Sequence, residues 1–131
     1  MIGEPDGLGR LGLTVKTTIF SLNQGHVEFQ SSEVPRWAEP DAFGQSAAEV
    51  HRSPNGTGVL YRIPVGCSVP IHAGPNYAYC QILTGRGKLI LPEGREIEYH
   101  GPELFIFEPG GLHGWTEVVE DTLLSVCDVR G

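Results

Sequence analysis

The chain has 131 residues, 40% of them hydrophobic, enough for one domain with a core of its own. Its formal net charge is −7, and its nine Lys and Arg are scattered singly from Arg10 to Arg130, so no basic face exists for a nucleic-acid backbone. No run approaches the ~18 apolar residues of a membrane span, and Met1 to Asp6 carry acids and a proline where a secretory leader needs a basic and then an apolar stretch.

Taken in chain order, Leu13 to Phe20 is rich in β-branched residues and predicts a strand, and the alternating stretch His26 to Gln30 predicts its partner. Residues 31–46 hold Pro35, Trp37, Pro40 and Gly44, which predicts a connecting loop or a short helical turn. Ala47 to Ser53 and Gly58 to Ile63 flank Asn55-Gly56, the strongest short hairpin signal. Tyr77 to Leu83, Gly87 to Leu91 and Arg95 to Tyr99 follow, broken at Gly85-Arg86-Gly87 and Pro92-Glu93-Gly94. Leu104 to Glu108, Gly114 to Val119 and Thr122 to Val129 complete the set. The 18 Gly and 10 Pro punctuate these runs at short, even intervals. The expectation is an all-β, antiparallel double-sheet barrel without a long helix.

Cys67, Cys80 and Cys127 form no C-x-x-C pair, and an odd count without a leader predicts reduced thiols in a cytoplasmic protein. Gly85-Arg86-Gly87-Lys88 lacks the spacing of a phosphate loop, and no G-x-S-x-G nucleophile elbow occurs. His26, His51 and His100 fall at strand edges or turns and are expected in solvent.

The most informative stretch runs from Gly66 to Gly85. It reads G, five residues, His72-x-Gly74, three residues, Ala78, six residues, G. It resembles the first motif of the cupin family, in which a second histidine and a glutamate stand where this chain has Gly74 and Ala78. Gly101 to His113 resembles the second cupin motif, with Pro109, Gly111 and His113 in order and one residue fewer between the last two. The resemblance implies a double-stranded β-helix, or jelly roll, over residues 45–131. Residues 1–44 would form an N-terminal strand or arm, lying on the barrel or crossing to a second subunit. Tyr77 to Trp115 is also similar to the sugar-binding barrels of arabinose-type regulators, which bind ligands without metal.

The family's metal site uses three imidazoles and a carboxylate, of which His72 and His113 remain. Two imidazoles fall short of the usual three protein ligands, so the expectation is no cofactor or a weakly bound divalent metal, with Cys80, Glu108 or Glu117 as the groups able to complete a shell. Strand alternation then puts His72, Gly74, Ala78, Cys80, His113 and Trp115 around one ligand-binding pocket, with Tyr77 and Tyr79 on the opposite face. His72 as a packing histidine and Trp115 as plain core are the bland alternatives. Exchange of His and Glu for Gly74 and Ala78 predicts a roomier, more apolar cavity that takes a small, mostly uncharged molecule. Three activities remain open. They are a small-molecule-binding protein, a metal-dependent enzyme of dioxygenase or isomerase type, and a metal-free acid–base enzyme using His72 or His113. A homodimer is expected, with the strand around Ile19 and Phe20 covering an exposed edge.

Overall fold

Short alternating runs separated by tight turns become strands throughout. The computed structural model describes residues 16–33 and 37–130, in two compact units, Met1–Arg36 and Trp37–Gly131. In the first unit, β1 (Lys16–Asn23) and β2 (His26–Glu33) form an antiparallel hairpin. Gln24 and Gly25 both take positive φ (51° and 81°) at its turn, the sense that matches strand twist in a two-residue loop. The register pairs Phe20 with Phe29 and Leu22 with Val27 on one face, with Thr18 and Ser31 beside them sharing a 2.8 Å hydroxyl hydrogen bond. That apolar face is open: Phe20, Leu22, Val27 and Phe29 are each about 70% exposed. The predicted start of this strand at Leu13 lies outside the described residues.

The second unit is one antiparallel sheet of β3 (Ser46–Ser53), β4 (Gly56–Ile63), β5 (Val69–His72), β6 (Tyr77–Ile90), β7 (Glu96–His100), β8 (Glu103–Phe107) and β9 (His113–Val129). Two strands are far longer than expected. Tyr77–Ile90 runs through Gly85-Arg86-Gly87 without a break, and His113–Val129 joins the two predicted strands on either side of residue 120. Their interruptions are bulges: register shifts in β6 fall between Ile82 and Lys88, Gly85 takes φ +117°, and Glu117 of β9 takes φ +46°.

These bends make one ribbon serve two sheets. β6 and β9 pair along their length, and each changes its outer neighbour midway. β9 pairs with β4 over Thr122–Val129 and with β5 at His113 and Trp115. β6 pairs with β8 over Ala78–Ile82 and with β7 over Arg86–Ile90. The result is the double-stranded β-helix expected from the sequence. Its hydrogen-bonded path runs β3-β4-β9-β6-β7 and does not close into a barrel among the described residues. Inward side chains from both halves, including Ile63, Val69, Ile82, Leu89, Trp115 and Leu124, form one buried core, each contributing about 1.5–3 kcal/mol of apolar burial.

Strand β5 is absent from the predicted set, because Pro70 lacks a ladder N–H and glycines flank the run. No helix among the described residues is long and apolar enough to cross a membrane.

Candidate functional site

The site begins at the short β5–β9 ladder, where His72 and His113 are direct cross-strand partners. Their imidazoles lie 4.6 Å apart between ring centroids, at 54°. Each ring is held in the same way. His72 Nδ1–H donates to the Pro70 carbonyl at 2.8 Å, and His113 Nδ1–H donates to the Gly111 carbonyl at 2.9 Å. A carbonyl only accepts, so these bonds place the proton of each neutral ring on Nδ1 and leave the Nε2 lone pair free. His72 is exposed at the mouth, while His113 is 9% exposed. His113 stacks flat on Phe107, centroids 3.6 Å apart and planes 9° apart, and meets Trp115 edge-on at 6.4 Å. Trp115 in turn packs edge-to-face on Tyr99. Burial lowers the pKa of His113 from its ordinary 6.5, the Gly111 carbonyl opposes this in part, and the neighbouring His72 lowers it further.

The close approach that makes this pair depends on Gly114. A Cβ there would sit 2.6 Å from the Val69 carbonyl oxygen and 2.9 Å from the Ile71 nitrogen, so only glycine lets β5 lie this near β9.

Both histidines line a cavity of about 440 Å³. Gly74, Ala78, Cys80 and Trp115 line it too, so all six residues expected at the pocket meet there. Tyr77 and Tyr79 are exposed on the other face, and His26, His51 and His100 are exposed as expected. The remaining lining includes three carboxylates, Asp41, Glu108 and Asp128, and no Lys or Arg. Asp41 Oδ1 already accepts from the Phe43 and Gln45 amides. Burial pushes the Cys80 thiol up to about 12, so it is uncharged at neutral pH.

No known family model matches this sequence, and no curated protein matches it. Solved structures do match in shape. The cupin domain of Schizosaccharomyces pombe Cnp3 superposes with TM-score 0.65 at 13% identity over 88% of this chain and 88% of that one. An RmlC-like cupin from Shewanella frigidimarina gives 0.64 at 13% identity over 74% and 85%. The polyketide cyclase RemF from Streptomyces resistomycificus gives 0.64 at 19% over 74% and 75%. This chain has the cupin fold.

The four-donor metal site that the cupin resemblance implies does not fit this chain. Gly74 and Ala78 bring no donor, and around Gly74 a Cβ would meet nothing within 4 Å, so its missing side chain leaves open space. Among the described residues no three His, Cys, Asp or Glu gather as a metal-binding group. Of the groups expected to complete a shell, Cys80 is a buried thiol among apolar neighbours. Glu117 is a correction to the sequence reading: the bulge at its positive φ turns it to a separate cavity, where it pairs with Lys88 at 3.5 Å. Glu108 lies on the cavity wall.

Sequence reasoning missed two parts of the site. The sequence places Phe107 in a strand and no more, whereas its register opposite Ala78 puts it on the cavity side. The sequence marks Asp41 to Gln45 only as part of a connection, yet Asp41, Phe43 and Gln45 line the cavity. Only the Asp-x-x-Gly spacing of a turn was visible there.

Proposed function

We propose that this protein binds a small, largely uncharged molecule in the cavity at His72 and His113, without a tightly held metal. The observation that carries the reading is a pair of imidazoles, each with Nδ1 held by backbone and Nε2 free, on the wall of a 440 Å³ cavity where, among the described residues, no third His, Cys, Asp or Glu gathers with them as a metal-binding group. A cavity of this size with apolar walls and a few convergent polar groups is the usual form of a small-molecule site. The same fold occurs in a protein named as a polyketide cyclase and in proteins named only as cupins, so fold alone assigns neither catalysis nor its absence. Cys67, Cys80 and Cys127 are free thiols, which supports a reducing, cytoplasmic setting.

The test is elemental analysis of untagged protein together with two variants. Native protein carries metal well below one per chain. Gly74→His with Ala78→Glu raises it toward one per chain, since the space at Gly74 is open. His113→Ala changes ligand binding and leaves metal content low. One equivalent of iron, manganese or zinc in native protein, lost on His113→Ala, would instead assign a metal-dependent reaction to this site.

A further inference from the structure

Resting on the small-molecule reading above, we propose that the occupant is an uncharged ring bearing adjacent hydroxyl groups, which donate one hydrogen bond each to Nε2 of His72 and of His113.

The donor–acceptor pattern of the cavity sets this chemistry. The backbone bonds from Pro70 and Gly111 fix both rings as Nδ1–H tautomers, so the cavity presents two acceptors and no ring donor at this point. The two imidazoles are a cross-strand pair with centroids 4.6 Å apart on one wall of the cavity, so the donors that match them belong on neighbouring atoms. The other carboxyl groups on the wall, Asp41, Glu108 and Asp128, have no Lys or Arg beside them there, while Tyr61, Gln45 and Asn76 add neutral polar groups. An anion entering here would find no Lys or Arg as a partner, which disfavours carboxylates and phosphates. His113 is nine-tenths buried and the Gly111 carbonyl holds its Nδ1–H, so its Nε2 is the acceptor that faces an occupant. The body of the occupant meets Phe107, Trp115, Val69, Leu124 and Val126, which are apolar. Burying that wall against a charged ammonium would cost desolvation that a neutral ring avoids. A volume of about 440 Å³ suits a compact ring compound rather than a polymer segment.

The experiment titrates native protein at neutral pH, without oxygen, with catechol and with cis-1,2-cyclohexanediol. The controls are 1,2-dimethoxybenzene, benzoate and benzylamine. Nitrogen-15 spectra follow the imidazole Nε2 resonances of His72 and His113. The expected result is that both diols move these resonances and bind at least ten-fold more tightly than any control. Exposed His72 tolerates replacement, and His72→Phe weakens diol binding about ten-fold, the loss of roughly one hydrogen bond. Gly74→Phe, which fills open space, abolishes binding. Dimethoxybenzene binding as tightly as catechol, and blocked by Gly74→Phe, would overturn the hydroxyl pairing while leaving the small-molecule pocket in place. Tighter binding of benzoate or benzylamine would likewise overturn it. Absence of binding by every ring compound would count against both readings.

Discussion

Gly114→Ala is the most direct probe of the link between fold and site. The glycine's φ is not positive, so alanine meets no backbone penalty at this position, and any effect is steric. The added methyl would sit 2.6 Å from Val69 O, 2.9 Å from Pro70 C and 2.9 Å from Ile71 N. All three are backbone atoms and cannot rotate away, so β5 must retreat by most of an ångström to restore ordinary contact near 3.4 Å. That movement pulls on the only two register positions β5 shares with β9, one of which is the His72–His113 pair. Overpacking of this kind costs about 1–3 kcal/mol, or several degrees in Tm for a domain of this size. Two assays separate stability from site geometry. Urea unfolding reads the loss of stability. Nitrogen-15 spectra of the two imidazoles read the separation, with the His113 environment changing more than that of distant His100. A variant as stable as the parent, with unchanged imidazole resonances, would refute the claim that Gly114 sets the approach of the two strands.

Other outcomes follow from the same geometry. Because burial holds the pKa of His113 below its ordinary 6.5, the unfolded chain takes up that proton first as pH falls. Stability is therefore unaffected by this group above about pH 6.5 and declines between 6.5 and the lower folded value, even with His72, Asp41, Glu108 and Asp128 nearby on the cavity wall. Urea midpoints across that window should show this slope in the parent and a shallower one in His113→Gln, and equal slopes would reject it. Thr122 Oγ1 donates to the Glu120 carbonyl, so the Tyr99 hydroxyl is the donor in their 2.7 Å bond. Tyr99→Phe should cost about 1–2 kcal/mol, and with Thr122→Val, which also loses the bond to Glu120, the double variant should cost less than the sum of the two singles, whereas a fully additive double variant would show that the two hydroxyls act independently. A two-stranded hairpin with an open apolar face is marginal in water, and Leu104 and Ile106 of β8 are more than half exposed on the other unit. The protein is expected to dimerise through these surfaces. Light scattering should show a dimer at micromolar concentration and a monomer for Phe20→Asp with Phe29→Asp, whereas a monomeric parent rejects the dimer.

How much of this was legible beforehand varies by residue. The hairpin at Asn55-Gly56 was readable because its turn chemistry is local. Gly66, His72, Gly85 and His113 pointed to the fold through their resemblance to the cupin motifs. What remained hidden depended on distant partners. Gly85-Arg86-Gly87 looks like a turn in isolation, yet pairing with both β7 and β9 keeps the strand running through it as a bulge. Pro70 concealed β5, whose existence rests on two pairings with β9 rather than on its own propensity. The same bulging carried Glu117 away from the histidines, because a positive φ reverses the side-chain alternation assumed from sequence. Phe107 and the loop at Asp41 enter the cavity through tertiary packing, which spacing along the chain does not record.

The manner in which the two imidazoles are anchored bears on how such a pocket changes over generations. Their supports are the main-chain carbonyls of Pro70 and Gly111, two positions upstream in each case. Any amino acid supplies a carbonyl, so no single exchange of a neighbouring side chain deletes either support while the strands hold their path. The surrounding walls at Gly74, Ala78 and Phe107 are therefore free to drift and reshape the chamber, while the paired acceptors are inherited with the backbone itself. Descendants of one ancestral pocket would then differ in what they exclude and share the point at which they grip.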